Sequence, residues 1–201
     1  MEILNVGGLG LINSITIAAT IVFVTGFVSN FGTGALAGYG LASRLELMLV
    51  PIAFGIGAAL TAAVGTNIGA GQYYRARYIA KFGAFITFIM TGIIGLAVAA
   101  MPWLWLDLFT DSEQSIVFAS TYLLFVAPFY GLFSGGMTLY FASQGTGKMG
   151  LPVLVNVIRL LTVLLIGSLT IVFEWNMIYI FMSVSLGLAI TGVGQFLCLY
   201  S

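Results

Sequence analysis

Charged side chains are scarce in this chain of 201 residues, which has six basic and six acidic residues and a formal net charge of zero. They make up 6% of the sequence, whereas soluble domains carry about 25%. Hydrophobic residues make up 61%, and the mean hydropathy is +1.15. This composition predicts a membrane protein whose surroundings are the lipid bilayer. It also argues against nucleic acid as a partner, because phosphate contacts require a basic surface.

Histidine is absent, and Cys198 is the single cysteine. The sequence therefore offers no imidazole as a general base, no ligand set typical of zinc and no intrachain disulfide. It also lacks the Gly-x-Ser-x-Gly motif that presents a nucleophilic serine. We expect no enzymatic activity, no organic cofactor and no bound metal other than a transported or coupling ion.

Long apolar stretches separate the few charged positions, and about 20 helical residues are enough to cross ~30 Å of hydrocarbon. These stretches lack the alternation of a membrane β-barrel. The sequence predicts an all-α, polytopic bundle of six transmembrane helices within one domain, 1–201. The predicted helices cover 3–28, 36–66, 82–105, 116–143, 151–173 and 176–200. The first helix is expected to be permanent, because Met1 and Glu2 supply no basic leader typical of a signal peptide.

The basic residues of the connections fall on one side of the predicted bundle. Arg75, Arg77 and Lys81 lie between the second and third helices, and Lys148 lies between the fourth and fifth. The connections on the other side carry only acidic charges. The positive-inside rule then predicts a multi-pass protein of the inner or plasma membrane with both termini in the cytoplasm.

A glycine-rich segment, Gly65 to Gly71, lies where the second predicted helix ends. A phosphate-binding loop of this kind needs a preceding strand, so helix packing and a glycine helix stop explain the segment better. The segment also belongs to an ordered set of motifs. The set reads GLASRLE at 40–46, then Pro51, GIG at 55–57, VGTNIGAG at 64–71, FYG at 129–131 and GMTLYFASQG at 136–145. It strongly resembles the multidrug and toxic compound extrusion (MATE) transporters, specifically their C-terminal half.

This resemblance implies a twelve-helix, inverted V-shaped antiporter in which two six-helix lobes enclose a central cavity. The chain would supply one lobe, and a missing N-terminal lobe or a second copy would supply the other. The implied function is export of amphipathic, often cationic drugs or other toxic organic compounds, coupled to Na⁺ or H⁺. An alternative within the same superfamily is a lipid-linked or polysaccharide flippase, whose cavity would be more basic. A structural subunit without transport is disfavoured by the cost of charges inside the membrane.

Three charged residues are candidates for the binding of substrate or cation. Glu46 lies ten residues, or about 15 Å, along a helix that begins at Leu36, which is near the middle of the membrane. A carboxyl group shielded from water there can exchange a proton or Na⁺. The alternative places Glu46 at the outer interface beside Arg44. Arg44 and Glu46 are two residues apart and face opposite sides of the helix. Arg159 is expected either to reach an acid or a carbonyl across the bundle or to extend to the headgroups.

Neutral polar residues are also candidates for the cavity, with Asn13 and Tyr130 preferred because their polar groups need partners outside their own helix. Pro51, Gly55 and Gly57 are candidates for a hinge in the second helix. The sequence departs from the MATE pattern in one respect. Many members that it resembles have an acidic residue in the first helix of this lobe and another in the fourth, for Na⁺ or H⁺. Neither 3–28 nor 116–143 contains an acid, so coupling falls to Glu46 or to the absent lobe.

Overall fold

The structure of the chain is a computed structural model that describes the backbone of residues 2–200 and the side chains of residues 7–200. All regular structure in this part is helical. In chain order, the helices are α1 (Glu2–Ser29), α2 (Thr33–Gly69), α3 (Tyr73–Ala100), α4 (Trp103–Leu106), α5 (Glu113–Val126), α6 (Tyr130–Thr146), α7 (Gly150–Val172) and α8 (Ile178–Cys198). Six helical segments are long and apolar enough to cross a membrane, which confirms the predicted all-α bundle.

The third span departs most from its predicted range, 82–105. It begins at Tyr73, so three of the basic residues lie in its first turns and not in a loop. Lysine and arginine are good helix formers, so a boundary drawn from hydropathy falls too late. The span ends at Ala100, because Pro102 disfavours helical backbone at Met101. The short α4 follows this break.

The fourth span, predicted as one helix over 116–143, consists of two helices in the structure. A 3₁₀ turn at Ala127–Phe129 separates α5 from α6. Pro128 lies within this turn, and proline lacks the N–H that an uninterrupted α-helix would need there. Together α5, the turn and α6 cover one membrane span.

The core of the bundle is α6, which packs against α2, α3 and α8. Small residues permit this close packing. At Gly136, an added Cβ would lie 2.8 Å from the Cα of Gly192 on α8. On the opposite side of α6, the Thr61 hydroxyl of α2 donates a hydrogen bond of 2.8 Å to the Phe141 carbonyl. The backbones of neighbouring helices therefore approach closely around α6.

The connections on one side of the bundle form what we call the basic end. Here α2 and α6 end and α3 and α7 begin, and the sequence at these positions includes Arg75, Arg77, Lys81 and Lys148. The α2–α3 connection is short, and Gly71 within it has a φ of 72°, which favours glycine. This geometry agrees with the expected glycine stop after α2.

Candidate functional site

Glu46 lies within the second span, 13 residues after Thr33. This separation is about 20 Å along the helix axis at 1.5 Å per residue. The Tyr122 hydroxyl of α5 donates a hydrogen bond of 2.8 Å to the Glu46 carboxylate. Tyr122 is only 1% exposed, so the carboxylate is held against the interior of the bundle. This contact joins α2 to α5.

A small cavity of about 60 Å³ adjoins Glu46 and is called the Glu46 cavity below. Its lining includes Arg159 of α7, which is 5% exposed and therefore does not extend to the headgroups. Arg159 Nη2 donates to the Thr20 hydroxyl of α1 over 3.4 Å. The guanidinium also lies 5.8 Å from the centre of the Phe133 ring. The Glu46 cavity therefore brings opposite charges from α2 and α7 together.

Arg159 is incompletely satisfied by hydrogen bonds. Within the described part of the chain, its Nε atom is buried and has no hydrogen-bond partner. Its charge interacts with that of Glu46 across the cavity. A buried donor without a partner costs about 1–3 kcal/mol, so the attraction to Glu46 helps to keep this cation inside the bundle.

Tyr122 belongs, together with Tyr39 and Tyr130, to one buried cluster of the core, and we call these three residues the tyrosine cluster. The rings of Tyr39 and Tyr122 meet edge to face with centres 5.4 Å apart. Tyr130 is fully buried, and no hydrogen bond to its hydroxyl is found among residues 7–200. Tyr39 was not among the residues predicted from the sequence, although its spacing of seven residues from Glu46 places both on one face of α2.

Two other candidates lie away from the Glu46 cavity. Asn13 is 6% exposed, and its Oδ1 accepts a hydrogen bond of 2.6 Å from Asn156 Nδ2. The expected partner of Asn13 is therefore another side chain, which joins α1 to α7. Arg44 is exposed and is not part of the cavity lining. The structure thus brings Glu46 and Arg159 to one cavity, which Asn13, Arg44 and Tyr130 do not line, and it places Tyr130 in the same core cluster as Tyr122.

The three hinge candidates have different surroundings. Pro51 lies inside α2, which continues as one helix to Gly69. An added Cβ at Gly55 would meet no other atom within 4 Å, whereas one at Gly57 would collide with the Phe141 ring of α6. Gly57 therefore serves close packing, and the packing of α6 does not restrict the choice of residue at position 55.

The size of the Glu46 cavity limits what it can hold. Sites for drug-sized molecules measure about 300–1,000 Å³, whereas this cavity of about 60 Å³ has room for one or two water molecules of ~30 Å³ each. Of the lining residues, only Glu46 and Thr20 carry side-chain oxygens. The arrangement suits a proton or a small ion, and an organic substrate requires a larger space.

Comparison with known proteins identifies the family of this chain. Residues 10–169 match the sequence model of MatE. The chain belongs to the MatE family. A curated relative of this MatE chain is the probable multidrug resistance protein YoeA of Bacillus subtilis (strain 168), which is 21% identical over 155 residues. That match covers 77% of the MatE chain and 34% of its relative.

Solved MatE-type transporters have the same fold as this MatE chain. The Vibrio cholerae MATE transporter VcmN in its bent form matches 96% of the chain with a TM-score of 0.83 and 18% identity. The MATE transporter ClbM in complex with Rb⁺ matches 98% with a TM-score of 0.89 and 21% identity. The chain covers 44% of the former and 46% of the latter, so it spans less than half the length of each. The family resemblance seen in the sequence is therefore confirmed, and this family consists of transporters, not enzymes.

Proposed function

We propose that this chain is the C-terminal lobe of a transporter that exports amphipathic, often cationic organic compounds in exchange for a cation. The family membership and a span of less than half of the solved transporters support this proposal. A second six-helix unit, either an N-terminal lobe or another copy, completes the substrate cavity in the plasma membrane. The Glu46 cavity of about 60 Å³ is too small for an organic substrate, so the substrate and the coupling ion bind at different places.

We infer that Glu46 is the coupling acid of this lobe. The observation that carries this inference is its carboxylate, which is bonded to Tyr122 and faces Arg159 across a cavity with room for water. An ionisable group inside a membrane span is costly, by about 2.5–3.5 kcal/mol on insertion scales. A purely structural role does not require this cost, because apolar side chains in place of both Glu46 and Arg159 would pack there equally well.

The surroundings of Glu46 support a proton over Na⁺ as the coupling ion. A proton needs one acceptor, which the carboxylate supplies. A metal cation needs several oxygen ligands, yet the described lining offers side-chain oxygens only from Glu46 and Thr20. The positive charge of Arg159 also repels a metal cation such as Na⁺ that enters the same small space.

Protonation of Glu46 would change contacts to two other helices at once. The ionised carboxylate attracts Arg159 on α7 and accepts the hydrogen bond from Tyr122 on α5. A neutral carboxyl group attracts the guanidinium much less. Proton uptake therefore loosens α2 from α7, and proton release draws the two helices together. The protonated and ionised forms of Glu46 thus favour different helix arrangements. Coupling of proton movement to alternating access requires such a difference.

The structure favours drug export over movement of lipid-linked diphosphates. A diphosphate would need several cations in one cavity, and Arg44 and Arg159 are the intramembrane candidates from the sequence. Arg44 is exposed on α2, whereas Arg159 lies in the Glu46 cavity. The two arginines therefore do not form one basic site within the membrane spans, where a flippase would move the diphosphate.

The test is Glu46→Gln in the full-length transporter, which keeps the shape of the side chain and removes its titration. We expect proton-driven efflux of a fluorescent cation such as ethidium from proteoliposomes to fall at least about tenfold. Binding of ethidium should remain, because the substrate cavity lies elsewhere. Glu113→Gln, at the start of α5, is the matched control and should leave efflux unchanged. Efflux by the Glu46→Gln variant at the control rate would remove Glu46 from the coupling mechanism.

A further inference from the structure

A second cavity, of about 600 Å³, opens at the basic end of the bundle. It lies among the ends of α2, α6 and α8 and the beginnings of α3 and α7, and shares no lining residue with the Glu46 cavity. Its volume is within the range of sites that hold organic ligands, about 300–1,000 Å³. We call it the basic-end cavity.

The lining of the basic-end cavity is mostly apolar. Its aliphatic lining, which we call the aliphatic floor, comes from several helices and includes Val64, Ile68, Ala80, Leu139, Ala142 and Leu151. The polar lining residues include Ser143 and Thr146, near the end of α6. Such a surface suits a hydrocarbon chain better than a hydrophilic solute.

Two cations complete the lining, Arg77 on α3 and Lys148 between α6 and α7. No acidic residue is present in the lining that the structure describes. A third cation lies close by, because Lys81 Nζ is 4.5 Å from the centre of the Tyr200 ring and Arg77 Cζ is 5.7 Å from the same ring. The basic-end cavity therefore combines an apolar interior with an excess of positive charge.

The backbone adds to this positive potential. Tyr73, the first residue of α3, and Gly150, the first residue of α7, both line the cavity. Neither helix start has a side-chain cap. The N–H groups of the first turn and the helix dipole favour negative charge at such positions. They reinforce the two cations in attracting an anion.

We propose that the basic-end cavity binds an anionic phospholipid, with its phosphate between Arg77 and Lys148 and part of an acyl chain on the aliphatic floor. Free phosphate would leave this floor in contact with water, and a zwitterionic lipid would bring a positive charge toward the two cations. The site lies where the membrane spans end, and basic pockets between transmembrane helices are suited to acidic headgroups. The lipid would connect the start of α3 to the α6–α7 connection.

The test measures binding of phosphatidylglycerol to the delipidated full-length protein by native mass spectrometry. The double variant Arg77→Gln, Lys148→Gln should bind the lipid about 30-fold more weakly, given the usual contribution of each basic residue near anionic lipid. The double variant Arg44→Gln, Arg75→Gln removes the same charge outside the cavity lining and is the matched control. It should keep the affinity of the unmodified protein.

Three results would overturn the proposal. Equal binding of phosphatidylcholine would show that negative charge is not recognised. Displacement of phosphatidylglycerol by millimolar inorganic phosphate would identify a soluble anion as the ligand. Equal losses in both double variants would show a general charge effect. If the first double variant is not monodisperse, Lys148→Gln alone replaces it with an expected loss of about fivefold. None of these measurements depends on the coupling role of Glu46.

Discussion

The hydrogen bond between Asn13 and Asn156 is expected to stabilise the contact between α1 and α7. Both side chains are buried, at 6% and 5% exposure, and their amides are 2.6 Å apart. Asn13→Leu or Asn156→Leu leaves one amide without its partner, which costs about 1–3 kcal/mol. In the double variant, both amides are gone and two apolar side chains meet. The double variant should therefore lose less free energy of unfolding than the sum of the two single variants.

The coupling energy is the quantity that tests this reasoning. Interhelical hydrogen bonds in membrane proteins average about 0.6 kcal/mol and reach ~1.7 kcal/mol, and full burial places this pair in the upper half of that range. Unfolding of the full-length protein in mixed micelles by a denaturing detergent measures all four members of the cycle. The control cycle combines Ser14→Leu with Asn156→Leu. Ser14 is exposed, and its hydroxyl donates to the Gly10 carbonyl of its own helix. Strict additivity in the Asn13 cycle would refute the assigned role of the bond.

Two glycines of α2 should respond oppositely to the same change. Gly57→Ala should destabilise the protein by about 1–2 kcal/mol, because the added Cβ would collide with the Phe141 ring. Gly55→Ala should be neutral or stabilise the protein by up to ~1 kcal/mol, because an added Cβ at this position meets no other atom. Equal effects in thermal unfolding would contradict the packing assigned to Gly57. Glu174 has a φ of 53° in the α7–α8 connection, so Glu174→Gly should stabilise the protein by about 0.5–1 kcal/mol in the same assay. A lower melting temperature for this variant would show that the side chain has contacts that outweigh the strain.

The number and type of spans were predictable because they depend on where long apolar stretches lie in the sequence. Any stretch of about 20 apolar residues that enters a bilayer must satisfy its backbone as a helix. The ends of the spans were harder to predict. The start of α3 at Tyr73 and the turn at Ala127–Phe129 depend on helix propensity and on Pro128, which a hydropathy profile averages out.

The candidate site was predictable only in part. Glu46 and Arg159 could be singled out because each is a charge inside a membrane span. Their proximity depends on how α2, α5 and α7 pack, and Tyr122 is 76 residues away from Glu46 in the sequence. For Asn13, the need for a partner was predictable but the identity of that partner was not. The sequence shows that a buried amide needs a partner, but Asn156 and a substrate satisfy that need equally well.

Two polar stripes explain why Arg159 stays inside the bundle. On α1, Asn13 and Thr20 are seven residues apart, about 10 Å along the axis, and on α7, Asn156 and Arg159 are three residues apart, about 5 Å. The two asparagines bond to each other, and Arg159 bonds to Thr20. Since both helices cross in the same direction, Arg159 must reach about 6 Å further along α1 than its own backbone position. The long arginine side chain spans this difference, and its guanidinium also lies over the Phe133 ring. A lysine would lack the delocalised guanidinium that makes this contact. The asparagine pair thus sets the register in which the guanidinium arrives beside Glu46, so the position of this buried charge and the packing of α1 on α7 depend on each other.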